Sequence, residues 1–168
     1  ILTIGGNATA DQPNSAGVLV QSGGQATVKG NAKGVNYGVR SSGTDIMYTA
    51  ASHITAGNAY TTATSGESVG VLAEGEAEAI LKGNVDTGSN PDGIGAKVYA
   101  YGFVTVDGRI KSKSYAQFSS RRGNRYFTEA DYTADVPGSN GYYLYYHQDW
   151  RNFLVQVKNV TLRSINVS

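Results

Sequence analysis

A Gly-bounded frame of fourteen residues recurs along this chain and constrains its fold more than any other feature. It reads GVLVQSGGQATVKG at Gly17–Gly30, GVLAEGEAEAILKG at Gly70–Gly83 and GAKVYAYGFVTVDG at Gly95–Gly108, with 13 residues from first to last Gly each time. The closing Gly starts a ladder: Gly6-Asn7, Gly30-Asn31, Gly57-Asn58, Gly83-Asn84 and Gly108-Arg109, spaced 24, 27, 26 and 25 residues apart. Segments 17–31 and 70–84 align without a gap and match at seven of fifteen positions. A fixed period of this length is the signature of a stacked repeat architecture.

Alternation inside the frame shows what the repeat builds. Counting from the opening Gly, the first position holds Val18, Val39, Val71 and Ala96, and the third Val20, Ser41, Ala73 and Val98. The ninth holds Ala26, Ala79 and Val104, and the eleventh Val28, Leu81 and Val106. Lys29, Lys82 and Asp107 at the twelfth belong in water. Apolar residues at period two mean strands with one buried face. Small residues in mid-frame (Ser22, Gly24, Gly75, Ala77, Ala100, Gly102) suit a bend between two short strands. The second unit departs from this plan. It carries an insertion around Asp45–Ala50, and its alternation slips by one near His53-Ile54-Thr55, leaving the inward face unassigned. AEGEAEAILK at 73–82 has helical propensity alone, but its alignment with 20–29 predicts strand. The stretches between units vary in length and are rich in Gly, Asn, Asp, Ser and Thr, which predicts loops on one side of the stack.

The G-V-L-x…x-V-x-G-N frame over residues 1–118 resembles the rungs of right-handed parallel β-helices in microbial surface proteins: adhesin-like proteins, autotransporter passenger domains and phage tail spikes. The resemblance implies an extracellular, cell-surface protein, in a class where many members bind glycans. The expected fold is all-β, a short parallel β-solenoid of about five rungs with an irregular, aromatic-rich C-terminal cap. At a strand spacing of ~4.8 Å, five rungs stand roughly 25 Å tall.

Past Gly108 the frame fades. Residues 119–152 read as an excursion and 153–162 as a returning strand, within the same domain. With Lys158 set against Lys29, Val155 and Val157 fall on Ala26 and Val28. At the other end, Leu2 and Ile4 occupy the inward ninth and eleventh positions with nothing before them as a cap. The absence of a leader or an initiator Met suggests a mature or excised segment.

Composition narrows the chemistry. Without Cys there are no disulfides and no thiolate sites. No apolar run approaches the ~20 residues of a membrane helix, so membrane insertion is not expected. Net charge is +1, but residues 1–108 hold five cations against nine acids (net −4) and residues 109–168 nine against four (net +5). This split leaves two readings, solvated surface or electrostatically complementary ends.

Candidate binding residues are the aromatics Tyr142, Tyr143, Tyr145, Tyr146 and Trp150, with Tyr99 and Tyr101 placed to face outward. They suit a cap over the last rung, a protein contact or a glycan-stacking platform. Candidate assembly residues are Leu2 and Ile4 at one end and the basic turn Arg121, Arg122 and Arg125 at the other. That turn alone is a weak nucleic-acid signal, and no nucleic-acid partner is expected. Asn7, Asn31, Asn58 and Asn84 read as a structural turn ladder bonding rung to rung. No metal site and no cofactor is expected. His147, Asp149 and Arg151 lack a nucleophile, His53 lacks a partner, and Asp86 and Asp92 flank one loop without matching acids elsewhere. Asn159-Val160-Thr161 fits a glycosylation acceptor in a system that reads it.

The leading expectation is a non-enzymatic extracellular structural protein that self-assembles head to tail at a microbial surface as a filament, sheath or surface layer. The alternative is a glycan-binding adhesin or phage tail-fibre module, with polysaccharide as partner. A polysaccharide lyase or hydrolase ranks third.

Overall fold

The structure is a computed structural model that describes residues 1–43, 51–99, 101–132, 140–146 and 153–161. It is a parallel β-solenoid without helix among the described residues. Each rung contributes one strand to each of three sheets. Sheet A stacks β1 (Leu2–Ile4), β4 (Gln25–Val28), β7 (Ser52–Ala56), β10 (Ala77–Leu81) and β13 (Phe103–Val106). Sheet B stacks β2 (Ala8–Thr9), β5 (Ala32–Gly34), β8 (Ala59–Thr61), β11 (Val85–Asp86) and β14 (Ile110–Lys111). Sheet C stacks β3 (Ala16–Gln21), β6 (Tyr37–Ser42), β9 (Ser68–Glu74), β12 (Gly93–Tyr99) and β15 (Ser114–Ser120). The five triplets make four complete turns from β1 to β13.

The inward positions are those the alternation names. Val71, Ala79, Val98, Val104 and Val106 are fully buried, and Val18, Val20, Ala26, Val28 and Leu81 join the same core. The slipped second unit resolves through its register. Ile54 lies between Ala26 and Ala79, so Ser52, Ile54 and Ala56 face in and His53 faces out. The insertion at 45–50 lies outside the described residues. Segment 73–82 is strand through Leu81, apart from its turn at Gly75-Glu76. Two expectations need correction. A rung has three strands rather than two, and the variable stretches are not only loops. Each contains a short strand of sheet B, too brief at two or three residues for alternation to reveal it.

Each recurring element of the frame has a steric or hydrogen-bonding cause. A Cβ on the opening Gly would strike the core at the corner between sheets B and C: Gly70 would meet Val85 Cγ1 at 2.2 Å and Gly95 would meet Ile110 Cγ2 at 2.2 Å. The middle bend uses left-handed residues, Ser22-Gly23, Gly75-Glu76 and Tyr101 (φ 69°). The closing Gly leaves room for the Asn below it: Cβ atoms on Gly30, Gly83 and Gly108 would lie within 2.2 Å of Oδ1 of Asn7, Asn58 and Asn84. Those Asn side chains climb the stack. Asn7 Oδ1 accepts from Asn31 N–H at 2.8 Å, Asn58 Oδ1 from Asn84 N–H at 2.7 Å and Asn84 Oδ1 from Arg109 N–H at 2.9 Å. Asn58 Nδ2 donates to Asn31 Oδ1 at 2.8 Å.

The Ser in the third-position series stands out. Ser41 is fully buried between Val20 and Ala73, and its hydroxyl has no hydrogen-bond partner among the described residues. A buried unsatisfied hydroxyl costs about 1–3 kcal/mol. Ser41→Ala should therefore raise the denaturation midpoint, with a gain of about 1 kcal/mol in chemical unfolding.

Beyond the fifth triplet the path changes. β16 (Gly123–Phe127) pairs antiparallel with β15, while β18 (Leu154–Val157) returns parallel to β13 and β17 (Tyr143–Tyr145) pairs antiparallel with β18. The register of β18 sets Val155 on Val104 and Val157 on Val106. An aromatic plug fills the top of the core. Phe118 packs on Phe127 and Phe153 at 4.7 and 5.5 Å, and Tyr115 on Tyr145 at 5.0 Å. Tyr115 stands where earlier rungs have the opening Gly, since Ser114 pairs with Ile94 and Ala116 with Ala96. No rung-four counterpart could carry that ring, because the next strand occupies its space.

Candidate functional site

Sheet C has the longest strands of the stack, six or seven residues each in β3, β6, β9, β12 and β15. Its outward positions form two rows across six strands. One runs Leu19, Arg40, Leu72, Lys97, Gln117, Tyr126, and the next Gln21, Ser42, Glu74, Tyr99, Ser119, Asn124. Because β16 turns back on β15, Tyr126 closes one side of this face. The result is a groove of about 760 Å³ framed by Tyr37, Tyr99 and Tyr126.

The groove is apolar at one end, where Leu72 and Ile94 pack with Val69 and Tyr37. Elsewhere it is polar and internally paired. Arg40 Nη2 lies 3.0 Å from Glu74 Oε1, which also accepts the Ser42 hydroxyl at 2.6 Å, and the guanidinium sits 5.0 Å from the Tyr37 ring centre. Lys97 Nζ lies 3.2 Å from Glu67 Oε1. Asp92 Oδ2 accepts from Gly66 N–H. On the floor, buried Gln117 donates through Nε2 to Ser119 Oγ at 2.7 Å. Such a face offers ring planes, hydroxyls and amides to a ligand, with two cations against three acids in its lining.

Of the residues named from sequence, Tyr99 lines this groove half-buried, and Tyr101 is 57% exposed at the neighbouring bend. The C-terminal aromatics largely pack inward. Tyr145 is fully buried and donates to the Glu129 carbonyl at 2.6 Å, and Tyr143 meets Tyr132 edge-on at 4.7 Å. Tyr142 donates to Asp107 Oδ1, and that hydrogen bond, more than its burial, holds its phenol pKa above the ordinary value. Tyr146 is half-buried. Trp150, His147, Asp149 and Arg151 lie outside the described residues.

Leu2 pairs with Ala26 and Ile4 with Val28, as their frame positions require, yet Leu2 remains 54% exposed. Arg121 and Arg122 form the exposed turn between β15 and β16, and Arg125 is exposed on β16. His53 does have a neighbour: its Nδ1 lies 3.4 Å from Glu78 Oε1 on the adjacent strand. The register that creates this pair is the one the local alternation left unassigned. Among the described residues no cluster of three or more His, Asp or Glu could hold a metal ion.

The groove residues Arg40, Leu72 and Lys97 share the second frame position, and Glu74 and Tyr99 share the fourth. Their common outward direction was readable from the repeat. The wall supplied by Tyr126 was not, because it depends on an antiparallel turn after the repeat ends. No protein-family model matches the chain, and no curated protein and no solved structure shows a significant match to it.

Proposed function

We propose that this chain is a non-enzymatic extracellular recognition scaffold that binds polysaccharide along the outer face of sheet C. The observation that carries the reading is the groove framed by Tyr37, Tyr99 and Tyr126 over a floor of buried hydrogen-bonding side chains. Sugar rings stack on aromatic faces, and their hydroxyls match the hydroxyls and amides between them. Glu67 and Glu74 are engaged by cations and Asp92 by a backbone N–H, so no groove carboxylate is left poised for acid–base work. The cell-surface setting rests on the resemblance of the rung to microbial surface β-helices.

Calorimetric titration with a panel of neutral and acidic polysaccharides tests the reading. Tyr99→Ala and Tyr126→Ala should each weaken binding about tenfold, equivalent to ~1.4 kcal/mol. Absence of binding across the panel, or affinity unchanged in both variants, overturns it.

A second reading, assembly by stacking, is favoured by β1, β2 and β3. Each is the terminal strand of its sheet, and its outer edge is unpaired among the described residues. Such edges template further strands, and the −4/+5 charge split would orient the contact. Sedimentation that stays monomeric at low salt removes this reading. The antiparallel β16 and β17 already limit it, since neither offers a parallel rung at the other end.

A further inference from the structure

The short strands of sheet B carry an outward row of their own. In register it runs Thr9, Lys33, Tyr60, Asp86, Lys111 along the stack. Ala32, Ala59 and Val85, each one residue earlier, are fully buried, so the row alternates out into solvent. A cleft of about 510 Å³ lies over its first four members, with Asn7 and Asn31 also in the lining. It shares no residue with the sheet C groove. The strands under Lys33, Tyr60 and Asp86 (β5, β8 and β11) are paired on both sides, so the floor there offers no backbone edge.

The charged groups of the sheet C groove are paired within the protein, whereas those of this cleft are open. Among the described residues Lys33 makes no ion pair and the Tyr60 hydroxyl no hydrogen bond. Lys33 and Asp86 stand on either side of β8, two strand spacings or roughly 10 Å apart, too far to meet. The Asn ladder sets the polarity of the cleft. Asn7 Oδ1 accepts from the Asn31 N–H and Asn31 Oδ1 from Asn58 Nδ2. With both carbonyls engaged in the stack, these two side chains turn Nδ2 donors to a ligand. Together with Lys33 Nζ they make the first two rungs an end rich in donors. At the other end, Asp86 gives one oxygen to the Gly88 N–H and keeps the second as an acceptor. The Tyr60 ring stands between the two ends.

We propose that this cleft is a separate binding site for a glycan that bears carboxylates, a chain containing uronic acid. A pyranose ring stacks on Tyr60, a carboxylate faces Lys33 and the Asn7 and Asn31 amides, and sugar hydroxyls donate to Asp86. Aromatic faces suit sugar rings, and a hydrogen bond with a charged partner is roughly twice as strong as one between neutral groups. An acidic peptide would answer Lys33, but without a free edge on β5, β8 or β11 it gains no main-chain pairing there.

Calorimetric titration with a glucuronate hexamer and with cellohexaose tests the site. The two chains share one backbone, with a carboxylate in the first where the second has a hydroxymethyl group. The titrations use the full-length Tyr99→Ala/Tyr126→Ala chain, in which the sheet C groove is disabled, so failure of this site and failure of the groove are distinguishable. The expected result is binding of the glucuronate chain about tenfold tighter than that of cellohexaose. Adding Lys33→Gln should erase the preference, and adding Tyr60→Ala should weaken glucuronate binding about tenfold. No binding of the glucuronate chain, equal affinity for the two chains, a preference that survives Lys33→Gln, or equally tight binding of hexaglutamate overturns the proposal.

Discussion

Replacing Gly70 with Ala will lower the melting temperature by about 6–12 °C, corresponding to a loss of about 3 kcal/mol for a chain of this length. The methyl group would sit 2.2 Å from Val85 Cγ1 and 2.8 Å from the Gly95 carbonyl oxygen. Val85 is fully buried, so neither group can move without disturbing the next rung. Removing the obstructing methyls should relieve part of this. In Gly70→Ala/Val85→Ala the total loss should fall short of the sum of the single losses by at least about 1 kcal/mol, as expected for residues in contact. Gly5→Ala is the control. Nothing lies within 4 Å of its Cβ position, and the change should stay within about 0.5 kcal/mol. Denaturant unfolding of the four variants checks the argument. Additivity between Gly70→Ala and Val85→Ala would show that the frame Gly does not answer to the core behind it.

Tyr145→Ala should cost about 3–5 kcal/mol, the range for truncating a buried aromatic ring. Tyr145 is fully buried, touches the Tyr115 and Phe127 rings and donates to the Glu129 carbonyl. Tyr145→Phe keeps the ring and should cost only about 1 kcal/mol. The larger change should also reach the groove, because Phe127 anchors the strand that carries Tyr126. A Tyr145→Ala variant of unchanged stability would return the C-terminal aromatics to the surface and reopen them as a platform.

The same plug sets an alkaline limit. Burial pushes the Tyr115 phenol from 10.0 up to about 12, and burial together with the Tyr115 hydroxyl raises Tyr145 further. Both phenols are therefore neutral in the folded chain at pH values where unfolded ones ionise. Their contribution is complete below pH 10 and declines as pH rises through 10 toward 12 and beyond. Unfolding free energy measured across that window should fall less steeply in Tyr145→Phe than in the parent chain.

Several features of the fold were legible because they are local. Val71, Ala73, Ala79 and Leu81 show a buried face within a single unit, and comparison of units shows that the face recurs. The Asn ladder was legible too, since equivalent positions in stacked rungs must be neighbours. The strands of sheet B were not, because Val85-Asp86 is too short to carry a period. The cap was half-legible. The alternation at Val155 and Val157 marked a strand, but not which of its aromatic neighbours would turn inward.

The sequence by itself determined the period of the stack, the inward side chains of sheets A and C outside β7, and the end of the regular repeat. These follow from a backbone that alternates every residue and from a frame that returns about every 25. Tertiary structure alone decided why Gly17, Gly70 and Gly95 carry no side chain, where His53 points and how Tyr126 walls the groove. Each of these depends on atoms one rung away or on strands that return after about fifty residues. Period-two alternation reports which side of a strand meets the core, but not which residue of another rung occupies the space beyond it.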